Sequence, residues 1–364
     1  MSLITPLGPL DHLDLTSNET LNKLLRQDKH QVLEGLIVEG YFRQFVDLLR
    51  GQGTHTLPIA LAKSTLKNHD GSWRTPAWWL WSQDKDCNGL SVLESKLTSG
   101  RGVIVKCDYD PEQRDFIMKS WGDKPVGEPV QLFMMRHRHM QQLTYQMPAR
   151  KVSQEERYMQ AYWGGLKGVY GSSLFEDVIL HRLFKNCAIS PFFTALWDVD
   201  NIVQLPSGEL MQFEVKHKYP FERDGELFFG INKGQLGVMQ DLAWCGIDTL
   251  HMILVKPKWT DNLSPGYLLH DPSLRSQVLL VGYRLDARKM QALRNSAGGT
   301  SANKTSLDGR RTLNYVNVAV ENFQLIGSLD DPLAELASKI SLAADGLLTS
   351  PISADILKSA QVVK

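Results

Sequence analysis

Apolar and polar residues alternate over two neighbouring stretches near the middle of the chain, Asp198–Gln204 and Leu210–Lys216. Both stretches contain several β-branched or aromatic residues, and alternation with a period of two is typical of β-strands. The residues between them include Pro206-Ser207-Gly208, which indicates a tight turn because glycine readily adopts a positive φ. The pattern therefore predicts a β-hairpin with a three-residue loop.

A loop of this length determines which side chains share a face of the hairpin. Asp200 is then predicted opposite Glu214, and Asp198 opposite Lys216, with opposed Cβ atoms about 4.5–5.5 Å apart. A two- or four-residue loop would put Asp200 and Glu214 on opposite faces, because a slip of one residue reverses every side chain. Two facing carboxylates are unfavourable without a compensating cation. The alternative without a function is that Asp198 and Lys216 form an ordinary ion pair and that Glu214 is a solvated edge residue.

The other face of the predicted hairpin is apolar. Val199, Val203, Phe213 and Val215 alternate with the charged residues, so we expect them to pack in a hydrophobic core. The hairpin thus separates a core face from a charged face. Mg²⁺ prefers hard oxygen ligands and often binds through one or two carboxylates, with water and phosphate completing its shell.

The series Asp200 … Phe213-Glu214-Val215-Lys216 resembles the core motif of the PD-(D/E)XK nuclease superfamily, over about residues 170–258. The literal Pro-Asp is absent, since Val199 precedes Asp200. The resemblance implies that Asp200 and Glu214 bind Mg²⁺ or Mn²⁺, that the Val215 carbonyl completes the ligand set, and that Lys216 contacts the attacking water or the phosphate. Asp198 competes with Asp200 as the first metal ligand.

Helices are predicted on both sides of this hairpin, in the order that the superfamily core has. The first is Ser172–Phe184, and the resemblance implies an acidic metal ligand on it, for which Glu176 is the candidate. Asp177 is the neighbouring alternative. Ser173-x-x-Glu176 also fits a capping box, which would give Glu176 a structural role.

The second helix is predicted over Gln235–Cys245, followed by a buried strand over Thr249–Val255. In similar nucleases a Gln or Lys at the start of this helix orients the site or touches the DNA backbone. Gln235 and Lys233 are therefore candidates for a supporting role. Further candidates for phosphate contacts are Lys218, Lys256 and Lys258.

The predicted fold class is mixed α/β: a restriction-endonuclease-like mixed sheet flanked by helices, with a separate N-terminal α+β domain. The predicted domains are 1–147, for partner or nucleic-acid recognition, 153–290 for the nuclease core, and 291–364 as a C-terminal extension. The extension is expected to contain a flexible loop over Asn295–Arg311, a strand and a helix.

The N-terminal region has two features that invite a functional interpretation. Four tryptophans cluster at positions 73, 78, 79 and 81, and we favour a core or partner interface over a base-stacking platform. Glu128–Met135 is predicted as a strand. The basic segment Arg136-His-Arg-His139 follows it and is interpreted as a solvated strand end, with phosphate or metal contact as the alternative.

Composition narrows the function further. The chain has 364 residues with 40 basic and 40 acidic side chains, which argues against a protein that coats nucleic acid indiscriminately. Its four cysteines have no C-x-x-C spacing, so a zinc site built on cysteine pairs is not expected. No signal peptide or membrane-spanning run is evident, and we expect a cytoplasmic protein with reduced thiols and no membrane partner.

The resemblance therefore implies a Mg²⁺-dependent endonuclease that hydrolyses DNA, with catalytic residues Asp200, Glu214, Lys216, Glu176 and Gln235. Two-strand cleavage requires two such sites, so a homodimer or a protein partner is expected, as in defence, transposition or repair systems. The alternatives are an inactive nuclease-like module that binds nucleic acid or protein, and a nuclease that acts on RNA.

Overall fold

A computed structural model describes most of the chain. The described residues are 2–26, 32–67, 74–100, 102–137, 168, 170–171, 174–193, 195–261, 263, 265–296, 298–300 and 312–362. The predicted linker at 148–152, the basic residues of the 301–311 segment and His139 lie outside them.

Strands and helices are interspersed along the chain. The strands are β1 (Ile4–Thr5), β2 (Gly8–Pro9), β3 (His55–Thr56), β4 (Ile59–Lys67), β5 (Arg74–Ser82), β6 (Val103–Asp110), β7 (Asp115–Trp121), β8 (Lys124–Pro129), β9 (Leu196–Val199), β10 (Asn201–Gln204), β11 (Leu210–Lys218), β12 (Phe221–Arg223), β13 (Glu226–Asn232), β14 (Asp248–Val255), β15 (Leu279–Leu285), β16 (Gly298–Thr300), β17 (Asn314–Ala319) and β18 (Gln324–Ser328). The helices are α1 (Asn18–Arg26), α2 (Val32–Gly51), α3 (Leu90–Ser99), α4 (Val130–His137), α5 (two π-helical stretches, Phe175–Leu180 and Leu183–Ile189), α6 (Lys233–Trp244), α7 (Tyr267–His270), α8 (Pro272–Arg275), α9 (Ala287–Arg294), α10 (Leu333–Ala344) and α11 (Ala354–Ser359).

The central sheet has the order β18-β15-β14-β11-β10-β3. β11 and β14 are parallel, and the other neighbours are antiparallel, so the chain is a mixed α/β protein. β11 lies inside this sheet and is buried from Leu210 to Val215 on both faces. The side chains of a strand that is covered on both faces must be apolar or must form hydrogen bonds or ion pairs inside the protein. The polar residues of β11 therefore indicate where such buried partners lie.

Different layers cover the two faces of the central sheet. On one face β11 packs against α2, where the rings of Phe213 and Phe42 are 6.5 Å apart, and α10 joins the same core. On the other face lie α6, α9 and a four-stranded sheet of order β12-β13-β17-β16. The polar face of β11 points towards this second layer.

A second six-stranded sheet has the order β8-β7-β6-β5-β4-β9. A third core cluster, which includes Leu61, Val199 and Ile202, packs between elements of the two large sheets. Trp78, Trp79 and Trp81 are at most 4% exposed, so their interpretation as core residues is confirmed, whereas Trp73 lies outside the described residues.

The predicted hairpin register is confirmed. Asn201 pairs with Phe213 and Gln204 with Leu210, and the turn residue Gly208 has a φ of 85°. The next pair in this register is Asp200 and Glu214. The three-residue loop therefore puts both carboxylates on one face of the sheet, as the alternation predicts.

The first strand of the hairpin is not continuous, which corrects part of the prediction. It breaks at Asp200, and β9 leaves the central sheet to pair with β4, where Asp198 lies opposite Ala62. The prediction that Asp198 lies opposite Lys216 is therefore wrong. Val199 is buried as predicted, but in the cluster between the sheets rather than with Val203, Phe213 and Val215.

The segment Glu128–Met135 also differs from its prediction as a strand. β8 ends at Pro129, and α4 begins at Val130. Val130 and Met134 are both fully buried, which is the i, i+4 spacing of a helix face. A short apolar run does not distinguish the two periods, and proline ends the strand here.

The predicted domain boundaries at 147 and 290 remain predictions, but both large sheets draw strands from either side of the first boundary. β3 belongs to the central sheet, and β9 belongs to the second sheet. Among the described residues, no helix is both long enough and apolar enough to cross a membrane.

Candidate functional site

Asp200 lies at the point where the two large sheets separate. Pairing between β10 and β11 ends at Asn201 and Phe213, and β9 turns away to β4. The Asp200 side chain is 18% exposed, so one of the two predicted acidic residues keeps some exposed surface where the strand breaks.

Glu214 lies deeper, in the middle of β11, and its side chain has no exposed surface. Its Oε2 accepts a hydrogen bond of 2.9 Å from the Gln212 amide, and its Oε1 accepts one from the Gln235 amide. Gln212 is held in turn by the Thr249 hydroxyl, which donates to its Oε1 at 3.0 Å. A buried carboxyl group with this many donors is fixed in position before any ligand binds.

Lys216 connects the two carboxyl groups. Its Nζ lies 3.2 Å from Oδ2 of Asp200 and also contacts Oε1 of Glu214. The Lys216 side chain is 30% exposed and is therefore the most accessible of the three. The ammonium supplies the cation that the facing carboxylates require.

The three groups shift one another's pKa values. Burial raises the pKa of Glu214 to about 8, and the neighbouring charge of Asp200 adds to this effect. Burial also disfavours ionisation of Asp200, but Lys216 and the hydrogen bond with Glu214 outweigh it, so the pKa of Asp200 is lowered. For Lys216 burial acts against the charge, yet the two carboxyl groups raise its pKa above its usual value. The pair therefore holds one negative charge next to one ammonium at neutral pH.

The first turn of α6 brings Gln235 to this site. The Asn232 side chain caps the helix by accepting hydrogen bonds from the backbone N–H groups of Gly234, at 2.8 Å, and Gln235. Gly234 packs directly against the Trp197 ring of β9, where a Cβ atom would overlap the indole. The helix start is thus fitted against the strand that precedes Asp200. Lys233, the other candidate at this helix start, is exposed.

The structure does not bring Glu176 to the carboxylate pair. Glu176 is exposed on α5. Asp177, the alternative, pairs with Arg43 and accepts a hydrogen bond from Gln83 instead. Among the described residues no group of three or more His, Cys, Asp or Glu side chains is arranged to hold a metal ion. Asp200 and Glu214 are therefore without the third acidic ligand that the resemblance implies.

Basic residues approach from α5 in place of an acid. Lys185 forms an ion pair with Asp198. Because this carboxylate already has a cationic partner, Asp198 is a weaker candidate for a metal ligand. Burial lowers the pKa of Arg182 to about 10, against the opposing influence of Asp198 and Asp200. Both basic side chains have acidic partners, since Lys185 pairs with Asp198 and Arg182 with Glu39.

The other predicted phosphate contacts have separate environments. Lys218 is half-buried and donates a hydrogen bond of 2.6 Å to the Gly230 carbonyl. Lys256 is 5% exposed, and Lys258 is exposed. Arg136 lies 3.7 Å from Glu128.

Two polar residues near the carboxyl pair were missed from the sequence, namely Gln212 and His251. Gln212 lies on the same face of β11 as Glu214, so the alternation itself could have identified it. His251 lies on β14, and only the parallel pairing of β14 with β11 puts it opposite Glu214. No pattern within β14 alone carries that signal.

The residues present fit a divalent cation in part. Asp200 and Glu214 offer hard oxygen atoms from facing strand positions, and the pKa of Glu214 is raised by burial and, to a lesser extent, by the charge of Asp200, which a cation would offset. Mg²⁺ commonly binds through one or two carboxylates and keeps several waters. For the ion to bind, the N–H groups that now donate to Glu214 would have to release one of its two carboxyl oxygens.

No family model, no curated protein and no solved structure matches this chain. Function is therefore inferred from the side chains and their geometry.

Proposed function

We propose that this chain is a metal-dependent nuclease with a restriction-endonuclease-like core, which hydrolyses phosphodiester bonds in DNA. The observation that carries the proposal is the contact of Lys216 with both Asp200 and Glu214, in the register that the motif requires. A buried glutamate with a raised pKa, next to a second carboxylate, is expensive for folding and is a feature of functional sites. The choice of DNA follows from the motif alone.

Asp200 and Glu214 are the residues that would hold Mg²⁺ or Mn²⁺. When bound, such an ion polarises the scissile phosphate and stabilises the charge that develops on its oxygens. Glu214 must give up its proton for this role. Since its pKa is about 8, binding of the ion is coupled to proton release, and affinity rises with pH towards that value.

Lys216 is the residue best placed to act on the substrate, because its side chain is the most exposed of the three. It orients the attacking water or binds a non-bridging phosphate oxygen. Gln235 is a positioning residue, since its amide contacts Glu214 rather than solvent. Two-strand cleavage needs two copies of this site, and a homodimer or a partner nuclease would supply the second.

Cleavage of labelled duplex DNA, single-stranded DNA and RNA in Mg²⁺ or Mn²⁺ tests the proposal. Glu214→Gln and Lys216→Ala are each expected to lower the rate by at least about 10²-fold, the lower end of the usual contribution of acid–base groups. The matched control is Asp198→Asn, which removes a carboxylate two residues from Asp200 that pairs with Lys185. Its activity should stay close to that of the unmodified protein.

The outcomes separate the candidate functions. Cleavage of RNA alone would identify an RNA-directed nuclease. Binding of nucleic acid without cleavage, by a protein that also binds no Mn²⁺ at Glu214, would indicate an inactive nuclease-like module. Undiminished cleavage by both Glu214→Gln and Lys216→Ala would refute the assignment of the site.

A further inference from the structure

His251 stands out among the buried polar residues of the central sheet. Its side chain has no exposed surface, and neither ring nitrogen has a hydrogen-bond partner among the described residues. Buried polar groups are almost always paired, because an unpaired one loses its hydration without compensation. A buried imidazole without a hydrogen-bond partner therefore lowers the stability of the fold. If His251 served packing alone, the protein would bear this cost without compensation.

The position of His251 connects it to the proposed site. β14 runs parallel to β11, and His251 is the residue paired with Glu214, so both side chains point to the same face of adjacent strands. Adjacent strands are about 4.8 Å apart. The Phe323 ring, with its centroid 6.3 Å away, lies against the imidazole. Glu214 is thus the polar residue paired with His251 on β11, and Tyr283 is the residue paired with it on β15.

The imidazole is in the state needed to help a carboxylate. Burial lowers the pKa of His251 well below its usual value, and Lys218 and Lys216 act in the same direction. The ring is therefore neutral, with one nitrogen that donates and one that accepts. A neutral donor can stabilise a carboxylate without competing with a cation for its charge.

Glu214 has no need of this donor in its present arrangement. Oε1 is occupied by Gln235 and Lys216, and Oε2 by Gln212. A cation at Oε1 would use the lone pairs that the two N–H donors now share. The carboxylate must then find a new arrangement, and a donor without a partner lies on the next strand.

We propose that His251 is a positioning residue of the nuclease site, whose ring N–H holds the Glu214 carboxylate in place when that carboxylate binds a divalent cation. The inference rests on the proposed function, because it requires a cation at Glu214. Ligating carboxylates are usually hydrogen-bonded in turn, and removal of such a partner typically lowers metal affinity or activity by about 10–100-fold.

The test compares His251→Leu with His251→Gln in the full-length protein. Leucine fills a similar volume without polar atoms, and glutamine keeps an N–H donor. We measure Mn²⁺ affinity by titration, the unfolding midpoint without metal, and DNA cleavage. His251→Leu is expected to bind Mn²⁺ about 10–100-fold more weakly while its midpoint stays the same or rises. His251→Gln is expected to restore most of the affinity.

Two controls keep this inference distinct from the proposed function. Glu214→Gln reports whether Mn²⁺ binds at this site at all. His181→Leu removes another histidine ring, which packs on Trp81 with centroids 5.1 Å apart, and should leave Mn²⁺ affinity unchanged.

The outcomes are then unambiguous. If Glu214→Gln abolishes Mn²⁺ binding and His251→Leu binds as tightly as the unmodified protein, the role of His251 is refuted and the nuclease proposal stands. If Glu214→Gln binds Mn²⁺ as well as the unmodified protein, the cation site is refuted and the role of His251 with it. A lower midpoint for His251→Leu with unchanged affinity would show a packing role only.

Discussion

The raised pKa of Glu214 predicts that the stability of the metal-free protein depends on pH in a way that Glu214→Gln removes. The ordinary pKa of a glutamate is 4.5, and burial together with Asp200 raises that of Glu214 to about 8. Between these values the folded protein keeps a proton that the unfolded chain has lost. By linkage, the stabilising effect is fully present below 4.5, declines as pH rises, and is lost above about 8.

The size of the effect follows from the interval between the two pKa values. One pH unit corresponds to about 1.36 kcal/mol. The interval from 4.5 to about 8 therefore sets an upper limit of roughly 5 kcal/mol on the loss of folding free energy across this window. The Glu214 side chain has no exposed surface, so solvent screening does not reduce this limit.

Glutamine at position 214 mimics the protonated carboxyl, because its amide can donate towards Asp200 and does not ionise. Denaturant unfolding at pH 5, 7 and 9 is measured for both proteins without metal. The unmodified protein should lose stability relative to Glu214→Gln by several kcal/mol between pH 5 and pH 9. A difference that varies by less than about 1 kcal/mol over this range would refute the assignment of a protonated Glu214.

Three further substitutions, two of them with a matched comparison variant, test how the hairpin and the start of α6 are held. Gly234→Ala should destabilise the protein by about 1–3 kcal/mol in denaturant unfolding and lower cleavage, because the new methyl group overlaps Trp197. Gly237→Ala on the same helix meets open space and should be neutral or slightly stabilising in the same measurement. Gly208→Ala should cost about 1 kcal/mol since its φ is 85°, whereas Gly208→Asn should cost less; denaturant unfolding compares them. Phe213→Ala, which empties the core against α2, should cost about 3–5 kcal/mol in the same measurement.

The parts of the site that sequence predicts correctly depend on local rules. Turn residues and a period-two pattern determine the register of a hairpin, and so Asp200 and Glu214 fall on one face as expected. The same alternation predicts burial of Phe213 and Val215. The proposed role of Lys216 also follows from spacing along one strand.

The parts that sequence does not predict depend on contacts between distant segments. β9 leaves the hairpin because Val199 pairs with Leu61, more than a hundred residues earlier in the chain. His251 lies beside Glu214 because β14 pairs in parallel with β11, and α6 lies between these two strands in the sequence. Glu176 is in the predicted helix, but the direction of its side chain depends on how that helix packs, which a capping pattern does not determine.

Because the strand is interrupted at Asp200, the proposed site has contacts with both large sheets. α6 contacts Glu214 through Gln235 at its first turn, and Asp241 on the same helix forms an ion pair with Lys63 of β4 in the second sheet. Burial, with a smaller contribution from a neighbouring arginine, lowers the pKa of Lys63 to about 8. The ion pair is therefore poorly solvated, and removal of one partner would destabilise the protein. The second sheet is therefore connected to the carboxylates at two points: through β9, which ends next to Asp200, and through α6, whose Gln235 contacts Glu214. Because both connections end on the same pair, we expect the separation of Asp200 from Glu214 to depend on how the two sheets are held together.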